Sequence, residues 1–171
     1  MMNDEILRIN GFEIVEDGFD QDKNKYYEGI FTQGNGYFHV RGSFEEGLAD
    51  APQNEVYTRT MKSVTTEQQR HPLSKQGTFL PLMMGKHPFL EEVIINLPYF
   101  MRIEIAAGNE KLDMIRSDIR DYRRVLNMKT GELTRSFTWI TASGEEIDVK
   151  FSRFASCLLY TSPSPRDSTS S

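Results

Sequence analysis

Leu133-Thr-Arg-Ser-Phe-Thr-Trp139 and Ile147-Asp-Val-Lys-Phe-Ser-Arg153 are the stretches that decide the fold of this chain. In both stretches, large residues alternate with Thr, Ser, Asp or Lys, and this period of two is typical of a half-buried β-strand. Lys129-Thr-Gly131 and Ala142-Ser-Gly144 precede them, and each supplies a glycine where the chain must reverse. The sequence therefore predicts a meander of three antiparallel strands over residues 118–154.

A further turn is predicted in the stretch Phe31-Thr-Gln-Gly-Asn-Gly-Tyr-Phe-His-Val-Arg-Gly42. Its centre, Gly34-Asn-Gly36, consists of residues that adopt positive φ at low cost. The apolar residues around this centre favour a strand, a reversal and a second strand; they are Ile30, Phe31, Tyr37, Phe38 and Val40. The alternative is a phosphate-binding loop, but such a loop leads into a helix, and this one leads into a strand-like segment.

The rest of the chain shows shorter extended segments and no sustained helical period. Residues 93–95 and 101–105 are predicted strands, and turn signals at Pro98 and Gly108-Asn109 follow them. Residues 50–77 are polar without a clear period, which indicates a long loop, an unrecognised short helix or a functional insertion. Short strands without alternating helices predict an all-β fold, an antiparallel β-sandwich.

Composition excludes several classes of partner. The 171 residues carry a net charge of -5 and are 38% hydrophobic, which is ordinary for a globular domain. Basic residues are interleaved with acidic ones, so a nucleic-acid partner is not expected. No apolar run is long enough to cross a membrane and the first residues are acidic, so we expect no membrane association and a cytoplasmic protein.

The last residues, 157–171, are rich in Ser and Pro and differ from everything before them. Cys157 to Asp167 resemble one reading frame of a transposase adapter used to build sequencing libraries. We therefore expect residues 1–156 to be the natural segment of a longer protein, and 157–171 to be a non-native, disordered tail. Because Cys157 is the single cysteine, residues 1–156 offer neither a disulfide nor a cysteine metal site.

Candidate chemical groups favour structural roles. Glu45 and Glu46 could form an acid/base pair, but neighbours in an extended chain point to opposite faces, so a structural role such as pairing with Arg41 is preferred. The histidines lack the spacing of metal ligands; they are His39, His71 and His87. The sequence thus predicts no catalytic, cofactor-binding or metal-binding residue.

Two sets of residues remain as candidates for contacts. Aromatic side chains could stack on sugar rings, although Trp139 shares a face with Phe137 and is better explained as core; the set is Tyr26, Tyr27, Tyr99 and Trp139. A polar set near the glycine-rich turn is costly to bury, so we expect it at a surface or domain boundary. This set comprises Asn35, Arg41, Glu45 and Glu46.

The sequences of four segments resemble those of glycoside hydrolase family 65, which includes maltose, trehalose and kojibiose phosphorylases. The first resembles the family's opening signature and comprises Glu28, Phe31, Thr32, Gly34 to Tyr37, Arg41, Gly42, Glu45 and Glu46. The others are Asn96-Leu-Pro98, Leu126-Asn-Met-Lys-Thr-Gly-Glu-Leu-Thr-Arg135 with Phe137 and Trp139, and Arg153-Phe-Ala-Ser156. Asn127 departs from the pattern, because the family commonly has Asp there and the charge is lost.

This resemblance implies a fold and an activity. The fold is the N-terminal part of an antiparallel β-sandwich of the galactose-mutarotase-like supersandwich type, incomplete here. The family's active site, with a Glu general acid, lies in a helical barrel that the polar set would face. The parent would cleave α-linked glucose disaccharides with inorganic phosphate, inverting the anomeric carbon to give β-glucose 1-phosphate. Hydrolysis within the same family is one alternative, and a non-catalytic carbohydrate-binding or structural domain is another. A homodimer of the parent is left open, no cofactor is implied, and the fragment alone is expected to be inactive.

Overall fold

The structure is a computed structural model that describes residues 6–46, 78–86, 93–96 and 100–156. In chain order, the elements of these residues are β1 (Leu7–Asn10), β2 (Glu13–Asp17), α1 (Asn24–Ile30), β3 (Gln33–Gly34), β4 (His39–Val40), β5 (Thr78–Gly85), β6 (Val93–Asn96), β7 (Ala106–Ala107), β8 (Glu110–Lys111), β9 (Asp118–Asn127), β10 (Glu132–Ile140) and β11 (Glu146–Phe154). Strands dominate, so the all-β prediction is confirmed.

The strands form three antiparallel sheets. The largest has the order β1-β2-β9-β10-β11, the second β3-β4-β5-β6, and the smallest pairs β7 with β8. The chain therefore leaves the large sheet after β2, builds the second sheet, and returns to the large sheet at β9. As a result, α1 and residues 41–46 can be held against the face of a sheet that is completed much later in the sequence.

The predicted meander over residues 118–154 is confirmed. Trp139 pairs with Ile147 across the second hairpin and with Ile119 on the other side. Gly131 and Gly144 have φ of 72° and 85°, the left-handed region that glycine adopts without steric cost. Asn127 closes the first hairpin, because its Oδ1 accepts hydrogen bonds from the backbone N–H groups of residues 129 and 130 at 3.0 and 3.1 Å.

One bulge interrupts the pairing of β9 with β10. Arg123 lies opposite Ser136 and Arg120 opposite Thr138, so Asp121 and Tyr122 together face a single residue. Asp121 has φ of 53°, a conformation that Asp tolerates better than most side chains. The extra residue leaves Tyr122 buried and stacked on Phe137, with ring centroids 6.4 Å apart.

Two apolar clusters cover the inward face of the meander. The larger contains Phe44, Leu112, Met114, Tyr122, Phe137, Trp139, Val149 and Phe151, and the smaller contains Tyr27, Phe31, Leu126 and Leu133. Trp139 is completely buried, which confirms its prediction as core. Burial of aromatic side chains of this size contributes a large share of the hydrophobic free energy of a small domain.

Helix α1 was not expected from the sequence, and it corrects the prediction of a strand at Ile30. The helix has seven residues and buries Asn24, Tyr27 and Glu28, a spacing of three and four that two turns barely display. Polar residues at two of these three positions hide the apolar period on which the sequence prediction relied. The turn beyond it is confirmed, since Gly34 pairs with His39 and Gly36 has φ of 88°.

The predicted strand over residues 101–105 is also wrong. These residues are irregular, and the N–H of Ile103 donates to the carbonyl of Glu45 at 3.0 Å rather than to a strand ladder. The turn at Gly108 is confirmed and joins β7 to β8. Predictions on residues 50–77, His71, His87, Leu97-Pro98 and Tyr99 lie outside the described residues.

Candidate functional site

Three arginines form a row on the inward face of the meander. Arg124 in β9, Arg135 in β10 and Arg153 in β11 occupy inward positions of the strand alternation, and Arg124 lies directly opposite Arg135. Their exposed fractions are 1%, 3% and 8%. Buried guanidinium groups require paired charges, because removing an ion from water costs several kcal/mol.

Three glutamates supply those charges. Glu16 in β2 accepts from Arg124 Nε at 2.6 Å. Glu45 accepts from Arg135 Nη2 at 2.9 Å and from Arg153 Nη1 at 3.0 Å. Glu46 accepts from Arg135 Nη1 at 2.7 Å. Together they form the arginine–glutamate cluster, whose six members are Arg124, Arg135, Arg153, Glu16, Glu45 and Glu46.

Aromatic rings enclose the guanidinium groups. The Cζ atom of Arg124 lies 4.4 Å from the ring centroid of Phe31. The Cζ atom of Arg135 lies 4.3 Å from the ring of Phe44 and 4.5 Å from that of Phe151. The attraction between a cation and an aromatic face is strengthened when water is excluded, so these rings stabilise the buried charges.

Other donors of Arg124 and Arg153 hold the backbone of residues 41–43. Arg124 Nη1 donates to the carbonyl of Gly42 at 2.8 Å. Arg153 donates to the carbonyl of Ser43 at 3.0 Å and to that of Arg41 at 3.1 Å. The strands of the meander thereby fix the path of a segment about 80 to 110 residues earlier in the chain.

Burial and charge act in opposite directions on the cluster's ionisable groups. Burial raises the pKa of Glu16 above its ordinary value, although Arg124 and the hydroxyl of Tyr122 act to lower it. Burial also raises the pKa of Tyr122. Burial alone would lower the pKa of Arg135, but Glu46 and Glu45 raise it above its ordinary value. Arg135 is therefore a permanent cation in this setting.

The four residues of the predicted polar set lie in three different settings. Asn35 closes the glycine-rich turn, where its Oδ1 accepts from the backbone of residues 37 and 38, and its Nδ2 donates to the carbonyl of Ser156 at 2.7 Å. Arg41 donates to the carbonyl of Lys25 at 3.0 Å and lies 3.9 Å from Glu28. Glu45 and Glu46 have buried side chains that pair with Arg135 rather than Arg41. Their proposed position at a domain interface stays a prediction.

Glu16 and Arg124 were not predicted as functional or paired residues from the sequence. A signal existed for Arg135 and Arg153, since both share the inward face of their strands with Phe and Leu or Val. An arginine at such a position predicts a buried counter-charge, but the alternation gives no information about which carboxylate provides it.

The geometry of the cluster favours structure over chemistry. A cavity of about 10 Å³ lies between residues 42–45 and the three arginines, which is about the volume that one water molecule needs. A sugar ring does not fit, and all three carboxylates are engaged in ion pairs. Across the described ranges, no group of His, Cys, Asp or Glu is arranged to hold a metal ion.

Exposed aromatic residues lie elsewhere. Tyr26 and Tyr37 are 68% and 48% exposed, whereas Tyr27 and Trp139 are buried. Of the aromatic residues considered for sugar stacking, Tyr26 is therefore the described one that a ligand could reach. In the described part of the chain, no helix has the length and apolar character needed to cross a membrane.

Comparison with known proteins identifies the family. The profile described as glycosyl hydrolase family 65, N-terminal domain, matches residues 14–160. The chain is 29% identical over 152 residues to an alpha,alpha-trehalose phosphorylase from Thermoanaerobacter brockii, covering 88% of this chain and 18% of that protein. It is 28% identical over 156 residues to a maltose phosphorylase from Bacillus subtilis (strain 168), covering 91% of this chain and 19% of that protein.

A solved structure agrees with these relatives. It is described as "Putative kojibiose phosphorylase from human microbiome", and it matches with a TM-score of 0.63 and 25% identity. The match covers 86% of this chain and 18% of that chain. This chain thus spans about a fifth of the length of the relatives that it matches.

Proposed function

This chain belongs to glycosyl hydrolase family 65 as its N-terminal domain, and we propose that the whole protein is a phosphorylase of α-glucosidic disaccharides. The support is that relatives named for trehalose, kojibiose and maltose are all phosphorylases and each aligns with most of this chain. Phosphorolysis is the reaction that these names share, and it supports the proposal. The names do not indicate which of the three disaccharides this protein would use.

In the proposed reaction, an oxygen of inorganic phosphate attacks the anomeric carbon from the side opposite the leaving sugar. The bond from that carbon to the bridging oxygen breaks, and a general acid protonates the oxygen as it leaves. The products are β-glucose 1-phosphate and a free sugar. Disaccharide and phosphate are thus the proposed substrates, the reaction requires no cofactor, and we propose that it takes place in the cytoplasm.

We propose that the domain described here supports this reaction without supplying its catalytic residues. The observation that carries the proposal is the neutralisation of Glu16, Glu45 and Glu46 by buried arginines. A general acid must reach the glycosidic oxygen, but Glu45 borders a cavity with room for one water, and the side chains of Glu16 and Glu46 are buried. The proposed catalytic glutamate therefore lies outside these 171 residues, in a part of the protein that Asn35 and Arg41 would face.

A carbohydrate-binding role of the domain is the second candidate. The exposed ring of Tyr26, next to the buried Tyr27 at 5.9 Å between centroids, could form an aromatic platform for a sugar. Under this proposal, Tyr26→Ala would weaken binding of disaccharide to the 171-residue chain. Phe12→Ala is the matched control, because Phe12 is similarly exposed at 66% but lies at the turn between β1 and β2.

The proposed activity is tested with maltose, trehalose and kojibiose, each with and without inorganic phosphate. The full-length protein is expected to release glucose 1-phosphate from at least one disaccharide only when phosphate is present. Release of free glucose alone, at the same rate without phosphate, would assign hydrolysis instead. The 171-residue chain is expected to release neither product, and turnover by it would overturn the placement of the active site.

A further inference from the structure

Two Asn-Gly pairs occur in this chain, and they lie in different environments. Asn10-Gly11 lies at the turn between β1 and β2, and Asn35-Gly36 lies at the turn between β3 and β4. Both glycines have positive φ, 59° for Gly11 and 88° for Gly36. A glycine has no Cβ to crowd its own backbone nitrogen. Both pairs therefore have the local sequence in which an asparagine side chain can react with the next backbone nitrogen.

The amide of Asn35 is held by three hydrogen bonds. Its Oδ1 accepts from the backbone N–H groups of Tyr37 and Phe38 at 3.0 and 3.1 Å, and its Nδ2 donates to the carbonyl of Ser156 at 2.7 Å. A reaction at the Cγ of Asn35 that expels Nδ2 must break the bond to Ser156 and turn the amide away from the other two donors. These hydrogen bonds therefore oppose the reaction at Asn35.

Asn10 lies in a more open setting. Gly11 and Phe12 alone join β1 to β2, and Asn10 pairs with Glu13 across them. Gly11 has the positive φ that the first central residue of such a hairpin can require. Asn10 and Gly11 are both exposed, and no hydrogen bond from another described residue holds the Asn10 side chain. This side chain can therefore rotate towards the nitrogen of Gly11.

We propose that Asn10 is a site of spontaneous deamidation and that the fold protects Asn35. The nitrogen of Gly11 attacks the Cγ of Asn10 and gives up its proton as the Cγ–Nδ2 bond breaks, so ammonia leaves and a five-membered succinimide remains. Water then opens the ring at either carbonyl carbon, which gives aspartate or isoaspartate at position 10. The net reaction consumes one water, releases one ammonia and involves no oxidation or reduction. It does not depend on the sugar chemistry proposed above.

Either product weakens the pairing of β1 with β2. Aspartate places a negative charge directly opposite Glu13, and like charges across an antiparallel pair destabilise it. Isoaspartate carries the chain through its side-chain carbonyl, which inserts an extra backbone atom before the turn. This insertion moves Arg8 and Ile9 out of register with β2. Chemical ageing of the domain is therefore expected to begin at this hairpin.

The test is peptide mass spectrometry of the full-length protein during incubation at mildly alkaline pH, which favours loss of the proton from the attacking nitrogen. The peptide with Asn10 is expected to gain the mass of deamidation about tenfold faster, or more, than the peptide with Asn35, because Asn35 must first lose its hydrogen bonds. Circular dichroism confirms that the protein stays folded. Asn10→Gln is the control, since the longer side chain would have to close a less favourable six-membered ring; it should abolish the first signal and leave the second unchanged.

A sample unfolded in urea separates the effect of the fold from that of the local sequence. In urea, the two peptides are expected to deamidate at similar rates, because the hydrogen bonds of Asn35 are lost. The proposal would be overturned by an Asn10 peptide that stays unmodified in the folded protein or by an Asn35 peptide that reacts as fast. The same ratio of rates with and without urea would also overturn it.

Discussion

At the residue scale, the domain depends on charges that are buried and matched. Arg135 contacts Glu45, Glu46 and the rings of Phe44 and Phe151, and its exposed fraction is 3%. The inward position of Arg135 could be predicted from the alternation of β10. Its counter-charges could not, because Glu45 lies 90 residues earlier in the chain and no local pattern connects the two.

Removing one member of a buried pair leaves the other uncompensated. Arg135→Met would leave Glu46 without its arginine, and we expect a loss of about 3–5 kcal/mol in the free energy of unfolding. Arg123→Met is the matched control in β9, because Arg123 pairs with Asp17 at the surface and such pairs contribute about 0–1 kcal/mol. Urea unfolding measures both, and equal losses for the two variants would contradict a structural role of the cluster.

Because the pKa of Glu16 is raised, the free energy of unfolding depends on pH. The folded state keeps the proton to a higher pH than the unfolded chain, whose ordinary value is 4.5. The stability that Glu16 contributes is therefore complete below the unfolded pKa and is lost as pH rises through the folded pKa. Glu16→Gln replaces the carboxyl group with an amide that does not titrate, so this variant is the reference.

The free energy of unfolding of wild type, relative to Glu16→Gln, should accordingly fall as the pH rises above the unfolded value of 4.5. Urea unfolding at a series of pH values measures this difference directly. A difference that grows with pH would show that Arg124 outweighs burial and lowers the pKa of Glu16.

At the scale of elements, the long strands could be predicted and the short elements could not. β10 and β11 have nine residues each, enough for four repeats of the inward-outward alternation. α1 has seven residues, and two of its three buried positions are polar, so the helical period is hidden. The prediction of a strand over residues 101–105 was wrong, because alternation in a short segment does not ensure that a neighbouring strand is there to pair with it.

Two glycines allow the turn and the helix to be compared by the same substitution. Gly131→Ala forces a side chain into φ of 72° in the hairpin between β9 and β10, and should destabilise the domain by about 1 kcal/mol. Gly29→Ala lies inside α1, where the new methyl group meets Arg41 atoms at 3.8 Å, and should stabilise the domain by up to about 1 kcal/mol. Thermal unfolding that ranks the two variants in the opposite order would contradict this assignment of helix and turn.

At the scale of the whole molecule, the family assignment agrees between the resemblance in four segments and the profile match over residues 14–160. The fold class was predictable because the meander dominates the described chain.

The adapter-derived origin of residues 157–171 stays a prediction, and a long read of the source locus across the codon for Ser156 tests it. A supporting role for this domain, with the catalytic residues in the rest of the protein, is a proposal, because the chain spans about a fifth of the length of its relatives.

The most direct test of the central claim, that the buried glutamates stabilise the domain and do not take part in the reaction, is the kcat of full-length Glu45→Gln for release of glucose 1-phosphate. The assay is run well below the Tm of the variant, with the folded fraction measured in the same buffer. The predicted result is a lower Tm and a kcat within about threefold of wild type per folded molecule, since removing a group that acts in the transition state costs about 100-fold or more. A loss of that size with an unchanged Tm would contradict the claim and make Glu45 a catalytic residue.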